Sequence, residues 1–264
     1  SLDVIADTYI QEGTLYDINY GASTYARTGP GDIPFGGGST NIAHSMYKFP
    51  VKGWNIGGLI LDNATGDVHD AELNLFVVSS SDGTTADDNR IEVRRLLEDW
   101  WQGTQNGTAN TTGASWRYRK PFLQWSDWYV AVYHDGWDPY HNYWGATYAD
   151  KIVALNTDVA TSGQVTWMIP ELTEDWLAGH HPNWGLLLRT TNEQVPSADG
   201  YRDFATADHG TSIYHPYLDV SYKRWVDPNW DGVLSAGEVA SLTVWTKLDN
   251  DIISGTEVCN TAWY

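Results

Sequence analysis

The chain has 264 residues, 42% of them hydrophobic, with 34 acidic against 15 basic side chains and a formal charge of −19 at pH 7. The length suffices for one large β domain, or for a domain with a small appendage. The charge argues against a nucleic-acid partner, which needs clustered Lys and Arg, and against an anionic membrane surface. One cysteine, Cys259, leaves no partner for an intramolecular disulfide. No apolar run reaches the ~18 residues of a membrane span, so no membrane insertion is expected.

Up to about residue 224 the chain reads as short strands between polar loops. "AELNLFVV" (71–78), "NRIEVRRL" (89–96), "QVTWMI" (164–169), "WGLLLRT" (184–190) and "PYLDVSY" (216–222) are rich in β-favouring residues, and the first alternates apolar with polar. Between strands lie Gly-, Ser- and Asp-rich stretches such as 27–41 and 79–89. Two segments, "RRLLEDWWQG" (94–103) and "IPELTEDWLAG" (169–179), show helical spacing and end in Gly; they share Leu-x-Glu-Asp-Trp and are expected to be short helices capping the ends of the sheets, each with an aromatic plug. This predicts an all-β fold, an antiparallel β-sandwich of jelly-roll type with short capping helices.

Residues 123–148 are the most aromatic stretch. In "DWYVAVYHD" alternation sets Trp128, Val130 and Val132 on one face and Tyr129, Ala131 and Tyr133 on the other. The following "HDGWDPYHNYWGA" carries Asp-Gly and Asp-Pro and reads as a loop, presenting Trp137, Tyr140, Tyr143 and Trp144 among Asp135, Asp138, His141 and Asn142. Ring faces interleaved with polar groups suit a sugar, stacking on C–H faces and bonding hydroxyls. Arg117, Arg119 and Lys120 lie just upstream and would serve an anionic glycan, although the net charge favours a neutral one or contacts bridged by calcium. The opposing reading is a loop plugged by its own rings.

After Trp225 the composition changes. "DPNWDGVLSAGE" (227–238) matches the calcium-loop pattern at every specified position. Asp227, Asn229 and Asp231 would supply side-chain oxygens, Val233 its carbonyl, Ser235 a held water and Glu238 a bidentate closure, with Gly232 at the sharp turn. The residues before it read as strand, so it resembles an EF-hand loop without its entering helix. "TKLDNDIISGTE" (246–257) is an imperfect second copy of the kind that dockerin modules carry in pairs. We therefore expect a domain over 1–224, a calcium-binding segment over 225–264, and Ca²⁺ as the cofactor.

The first 224 residues resemble the DNRLRE family, extracellular β-sandwich domains that include alginate-binding carbohydrate-binding modules. The resemblance lies in "ADTYI" (6–10), "GGGSTNIAHSMYKFPV" (36–51), "AELNLFVV", "EVRRLLEDWWQGT" (92–104) with "GASWRYR" (113–119), "VTWMIPELTEDWLAGHHPNWGLLLRT" (165–190) and "HPYLDVSY" (215–222). Residues 125–148 depart from it, being longer and more aromatic. It implies a non-catalytic binding or surface module. Asn63, Asn106 and Asn110 head Asn-x-Ser/Thr triplets and are candidate glycosylation acceptors. The expectation is a secreted, cell-surface protein freed of its signal peptide, whose partner is a polysaccharide or cell-surface glycan. The alternative is a filament, sheath or surface-layer subunit that uses the same sandwich to contact copies of itself. No His-Glu-x-x-His, Gly-x-Ser-x-Gly or comparable catalytic spacing occurs, and His180 and His181 are adjacent. His134, Asp135, Asp138 and His141 could form a surface metal site, but the chain is not expected to be an enzyme.

Overall fold

The computed structural model describes residues 1–12, 17–31, 41–52, 55–56, 59–60, 66–81, 90–109, 112–125, 149–191 and 200–224. The chain divides into two compact units, Ser1–Lys223 and Arg224–Tyr264. The calcium-loop residues and the rest of 225–264 lie outside the described residues.

The first unit is all-β and antiparallel. Eleven strands form one curled sheet. Its order is β1 (Leu2–Asp3), β17 (Tyr217–Arg224), β8 (Gly66–Ser80), β16 (Arg202–Ala205), β4 (Tyr25–Gly31), β5 (Asn41–Lys48), β15 (Leu186–Thr190), β9 (Ile91–Leu96) and β13 (Ala149–Asn156). β14 (Gly163–Met168) adds to β8, and β2 (Ala6–Gln11) adds to β5. The two-residue strands β6 (Asn55–Ile56) and β7 (Leu59–Ile60) pair with each other. The strand β4 serves both halves: its residues 25–28 pair with β16 and its residues 29–31 with β5. Gly29 stands at that switch with φ 110°, and a Cβ there would lie 2.7 Å from the Gly200 carbonyl oxygen, so only glycine makes the corner.

The two halves pack face to face, as the alternation predicts. Leu73, Leu75 and Val77 of β8 and Trp167 of β14 meet Tyr47 of β5, Leu186 and Leu188 of β15, and Ile91 and Val93 of β9 in one core. Trp167 spans the gap, its indole N–H donating to the Ile91 carbonyl at 3.2 Å. Helix α1 (Pro170–Ala178) closes one end. Pro170 begins it, and Gly179 ends it at φ 73°, with the N–H groups of Gly179 and His180 taken up by the carbonyls of Trp176 and Asp175. Its Leu172, Thr173, Trp176 and Leu177 are buried.

The helix expected over 94–103 does not form. Residues Ile91–Leu96 run as β9, residues 97–98 bend, and residues 99–103 continue outside helix and strand. The Trp101 N–H donates to the Arg119 carbonyl at 3.0 Å and its carbonyl accepts from Ala114 N–H at 2.7 Å, so the backbone bonds sideways instead of back along a helix. The reason is a second core. Ile10, Met46, Leu187 and Leu96 face away from the sandwich, and Trp100, Ala114, Trp116 and Trp125 cover them. Residues 97–109 and 112–125 thus roof the outer face of β2, β5, β15 and β9, a packing gain that outweighs helical propensity.

Asn19 pins the roof. It ends the two-residue strand β3 (Ile18–Asn19), which pairs with β10 (Thr108–Ala109), and it is fully buried. Its amide donates to the carbonyls of Gln102 (2.8 Å) and Ala114 (2.7 Å), and its Oδ1 accepts from the N–H groups of Gly21 and Gln105, each at 3.2 Å. The backbones meet so closely here that a Cβ on Gly21 would lie 2.0 Å from the Gln102 oxygen.

Candidate functional site

The roof carries an exposed aromatic cluster. The neighbours Trp100 and Trp101 lie outside helix and strand, and their side chains part. Trp100 is buried in the second core, its indole N–H donating to the Trp184 carbonyl at 2.8 Å, whereas Trp101 is 54% exposed. Both backbone groups of Trp101 are bonded to neighbouring segments, so its ring is presented on a fixed frame.

A hairpin lies beside it, β11 (Tyr118–Lys120) paired with β12 (Leu123–Gln124). Lys120 places its ammonium 5.6 Å from the centre of the Trp101 ring. The same ammonium bonds Asp99 at 2.7 Å, and Lys48 bonds the other Asp99 oxygen at 3.0 Å. Partial burial pushes the Asp99 carboxyl up, and the bonds and charges of Lys120 and Lys48 more than reverse this, holding it below the usual carboxylate range. At the tip stands Phe122, 81% exposed, with Leu123 at 45%. Phe122 has φ 59°, the one positive φ outside glycine among the described residues. A left-handed backbone costs a bulky residue about 1–2 kcal/mol, and strain of this kind gathers at binding sites. Here the strain keeps a ring in water where packing gives it nothing.

Arg117 and Arg119 flank this cluster, and each already meets a carboxylate. Arg117 lies 3.3 Å from Asp17. Arg119 lies 2.8 Å from Glu98 and donates to the Asp99 carbonyl at 3.0 Å. Asn106 is exposed on the bend before β10. Trp137, Tyr140, Tyr143, Trp144, Asn63, Asn110 and the group His134, Asp135, Asp138 and His141 lie outside the described residues. So do Asp227, Asn229, Asp231, Val233, Ser235 and Glu238. His180 sits in the open just past α1, 3.3 Å from Asp175.

Other aromatics are structural. Tyr20 stacks on Tyr9 at 4.0 Å and Tyr9 on Tyr25 at 5.9 Å; Arg27 lies 3.9 Å above Tyr201 and is gripped by both Asp203 oxygens at 2.7 and 2.8 Å. Burial raises the Tyr9 and Tyr20 hydroxyls above the ordinary tyrosine range, so they stay protonated. Close by, Asp7 is almost wholly buried. It accepts from Ala207 N–H at 2.7 Å and from the Gln102 amide at 3.3 Å, yet burial lifts its carboxyl to about 6.

Trp101 escapes a sequence reading that takes 94–103 as helix, and Phe122 and Leu123 escape one that begins the platform at Trp137. The adjacent Trp-Trp pair is the signal that finds the first: one ring is buried in the second core and its neighbour is left exposed. The chain matches no protein-family model and no curated protein.

Proposed function

We propose that the protein is a non-catalytic carbohydrate-binding module of extracellular or cell-surface setting, built on a sandwich of jelly-roll connectivity as the DNRLRE resemblance implies. The observation that carries the reading is Trp101: a large ring, exposed and fixed by backbone bonds on both sides, with Lys120 beside it and Phe122 exposed at the turn of the adjoining hairpin. The ring would stack on a pyranose face, and Lys120 and Asp99 would bond its hydroxyls. Trp137, Tyr140, Tyr143 and Trp144 follow the hairpin in sequence and would extend the platform. Asp227, Asn229, Asp231, Val233, Ser235 and Glu238 would hold Ca²⁺, a hard cation suited to their oxygens, and brace the 225–264 segment. A glycan array identifies the sugar, and affinity electrophoresis on that sugar tests the site: Trp101→Ala and Phe122→Ala should each weaken retardation. Retention on no glycan would end the proposal. Calorimetric titration with Ca²⁺, repeated on Glu238→Ala, tests the ion separately.

A second reading, a self-assembling surface subunit, is favoured by one observation. Ile152 and Leu155 are about half exposed on β13, the last strand in the sheet order, which among the described strands pairs with β9 alone. Such an edge accepts another chain. Light scattering with Ca²⁺ and with chelator distinguishes the two, since only the assembling protein grows large particles.

A further inference from the structure

We propose that the outer face of β8 and β14, on the side of the sandwich opposite the tryptophan roof, is a second binding surface, selective for neutral polyhydroxylated chains. The proposal takes its ligand class from the carbohydrate-binding reading and assigns it to residues that reading does not use.

The alternation that sends Leu73, Leu75, Val165 and Trp167 inward sends Asn74, Phe76, Gln164 and Thr166 outward. Register sets Thr166 opposite Asn74 and Gln164 opposite Phe76. Asn74, only 2% exposed, accepts with the same Oδ1 from the Gln164 amide at 2.7 Å and the Thr166 hydroxyl at 2.8 Å. The Gln164 amide gives its second hydrogen to the Tyr217 hydroxyl oxygen at 2.9 Å. Every orientation in this row is therefore fixed. Both Gln164 hydrogens and the Thr166 hydrogen are used, so Gln164 Oε1 and Thr166 Oγ1 are left as acceptors, and the Tyr217 hydroxyl as a donor, on a surface where Gln164 and Thr166 are exposed. Side chains two apart on one strand stand about 7 Å from each other, so the acceptors form a spaced pair.

Apolar contact flanks the polar row. Phe76 and Tyr214 stack at 3.7 Å, with His209 tilted against Tyr214 at 5.5 Å, and Met168 is exposed at the other end. The row itself carries no charge. Among the described residues, carboxylates stand at its margins: Glu72 opposite Met168, and Asp219, two residues beyond Tyr217 and paired with the Ser1 ammonium at 3.3 Å. Locked acceptors and one donor beside rings suit sugar hydroxyls and C–H faces, and the row offers a polyanion no cation of its own. With Trp101 on the roof, one molecule would hold two chains at once and cross-bridge them.

The test is affinity electrophoresis in gels containing galactomannan, mixed-linkage β-glucan, hydroxyethylcellulose or alginate. It compares the parent, Trp101→Ala, and the double variant Gln164→Ala with Tyr217→Phe. The double variant removes exposed groups, and an unchanged urea midpoint verifies its fold. The expected result is a loss of about tenfold in affinity for a neutral glycan in the double variant. In solution, the parent alone should raise the light scattering of that glycan. Retention of the parent on alginate alone overturns the neutral selectivity. Parent-like migration of the double variant in every gel overturns this proposal and leaves the Trp101 reading standing. Retardation that survives Trp101→Ala but not the double variant supports this face and removes the other. Failure of the parent to bind any glycan ends both. Sedimentation showing self-association that the double variant abolishes assigns the face to a second copy of the chain and overturns the proposal.

Discussion

Replacing Asn19 by alanine removes four hydrogen bonds at one fully buried point: two donated, to Gln102 and Ala114, and two accepted, from Gly21 and Gln105. At about 1 kcal/mol for each bond lost, the cost is about 4 kcal/mol. That is a large part of the 5–15 kcal/mol by which a domain is usually stable. The loss is local, because all four partners belong to the roof or its footing. Trp100, Trp116 and Trp125 should therefore reach water before the sheets melt. Urea denaturation followed by tryptophan fluorescence and far-ultraviolet circular dichroism reads both effects. The variant should show a red shift at lower urea than its loss of sheet signal, where the parent shows one transition. Asn19→Asp keeps the two acceptors but turns a carboxylate on two carbonyls, and should be no better than alanine. A variant within about 1 kcal/mol of the parent, with coincident transitions, would refute the idea that Asn19 holds the roof.

Neighbouring geometry sets three further outcomes. Gly103→Ala puts a Cβ 2.4 Å from Asn19 Oδ1 at φ 80°, and should cost about 2–3 kcal/mol in the same urea assay. Phe122→Gly relieves the strained φ and should stabilise the chain by about 1 kcal/mol while weakening glycan retention; a variant that loses stability contradicts the strain argument. For Asp7, burial raises the folded carboxyl from 3.8 to about 6, so folding favours the protonated form: its contribution is full below about 4 and is lost as pH rises through 6. Asp7→Asn removes that dependence, and the stability of the variant relative to the parent should climb by up to about 3 kcal/mol between pH 4 and 7 and then level off. A difference that does not change with pH contradicts it.

Much of the sandwich is legible in the sequence because a strand buried on one face leaves a period of two. The runs at 71–78, 89–96, 164–169, 184–190 and 216–222 coincide with β8, β9, β14, β15 and β17, and the helix with its Gly179 stop lies where its spacing puts it. The failure at 94–103 has a physical cause. Helical spacing there is real, but sheet residues Ile10, Met46 and Leu187 leave an apolar outer face that the Trp-bearing segment covers. A single sequence records which residues are apolar and not which of two faces claims them. Asn19 is likewise invisible, because its four bonds arise from segments more than eighty residues away and from a neighbour two residues on. The outer row of β14 is half legible, since alternation puts Gln164 and Thr166 together, but their lock on Asn74 depends on strand register.

Titration calorimetry of the parent and Trp101→Ala, against the glycan that the array selects, decides whether the roof is a binding platform. The variant should bind at least about tenfold more weakly, with its circular dichroism and urea midpoint unchanged. Equal affinity in the two proteins would mean that the exposed ring holds no sugar.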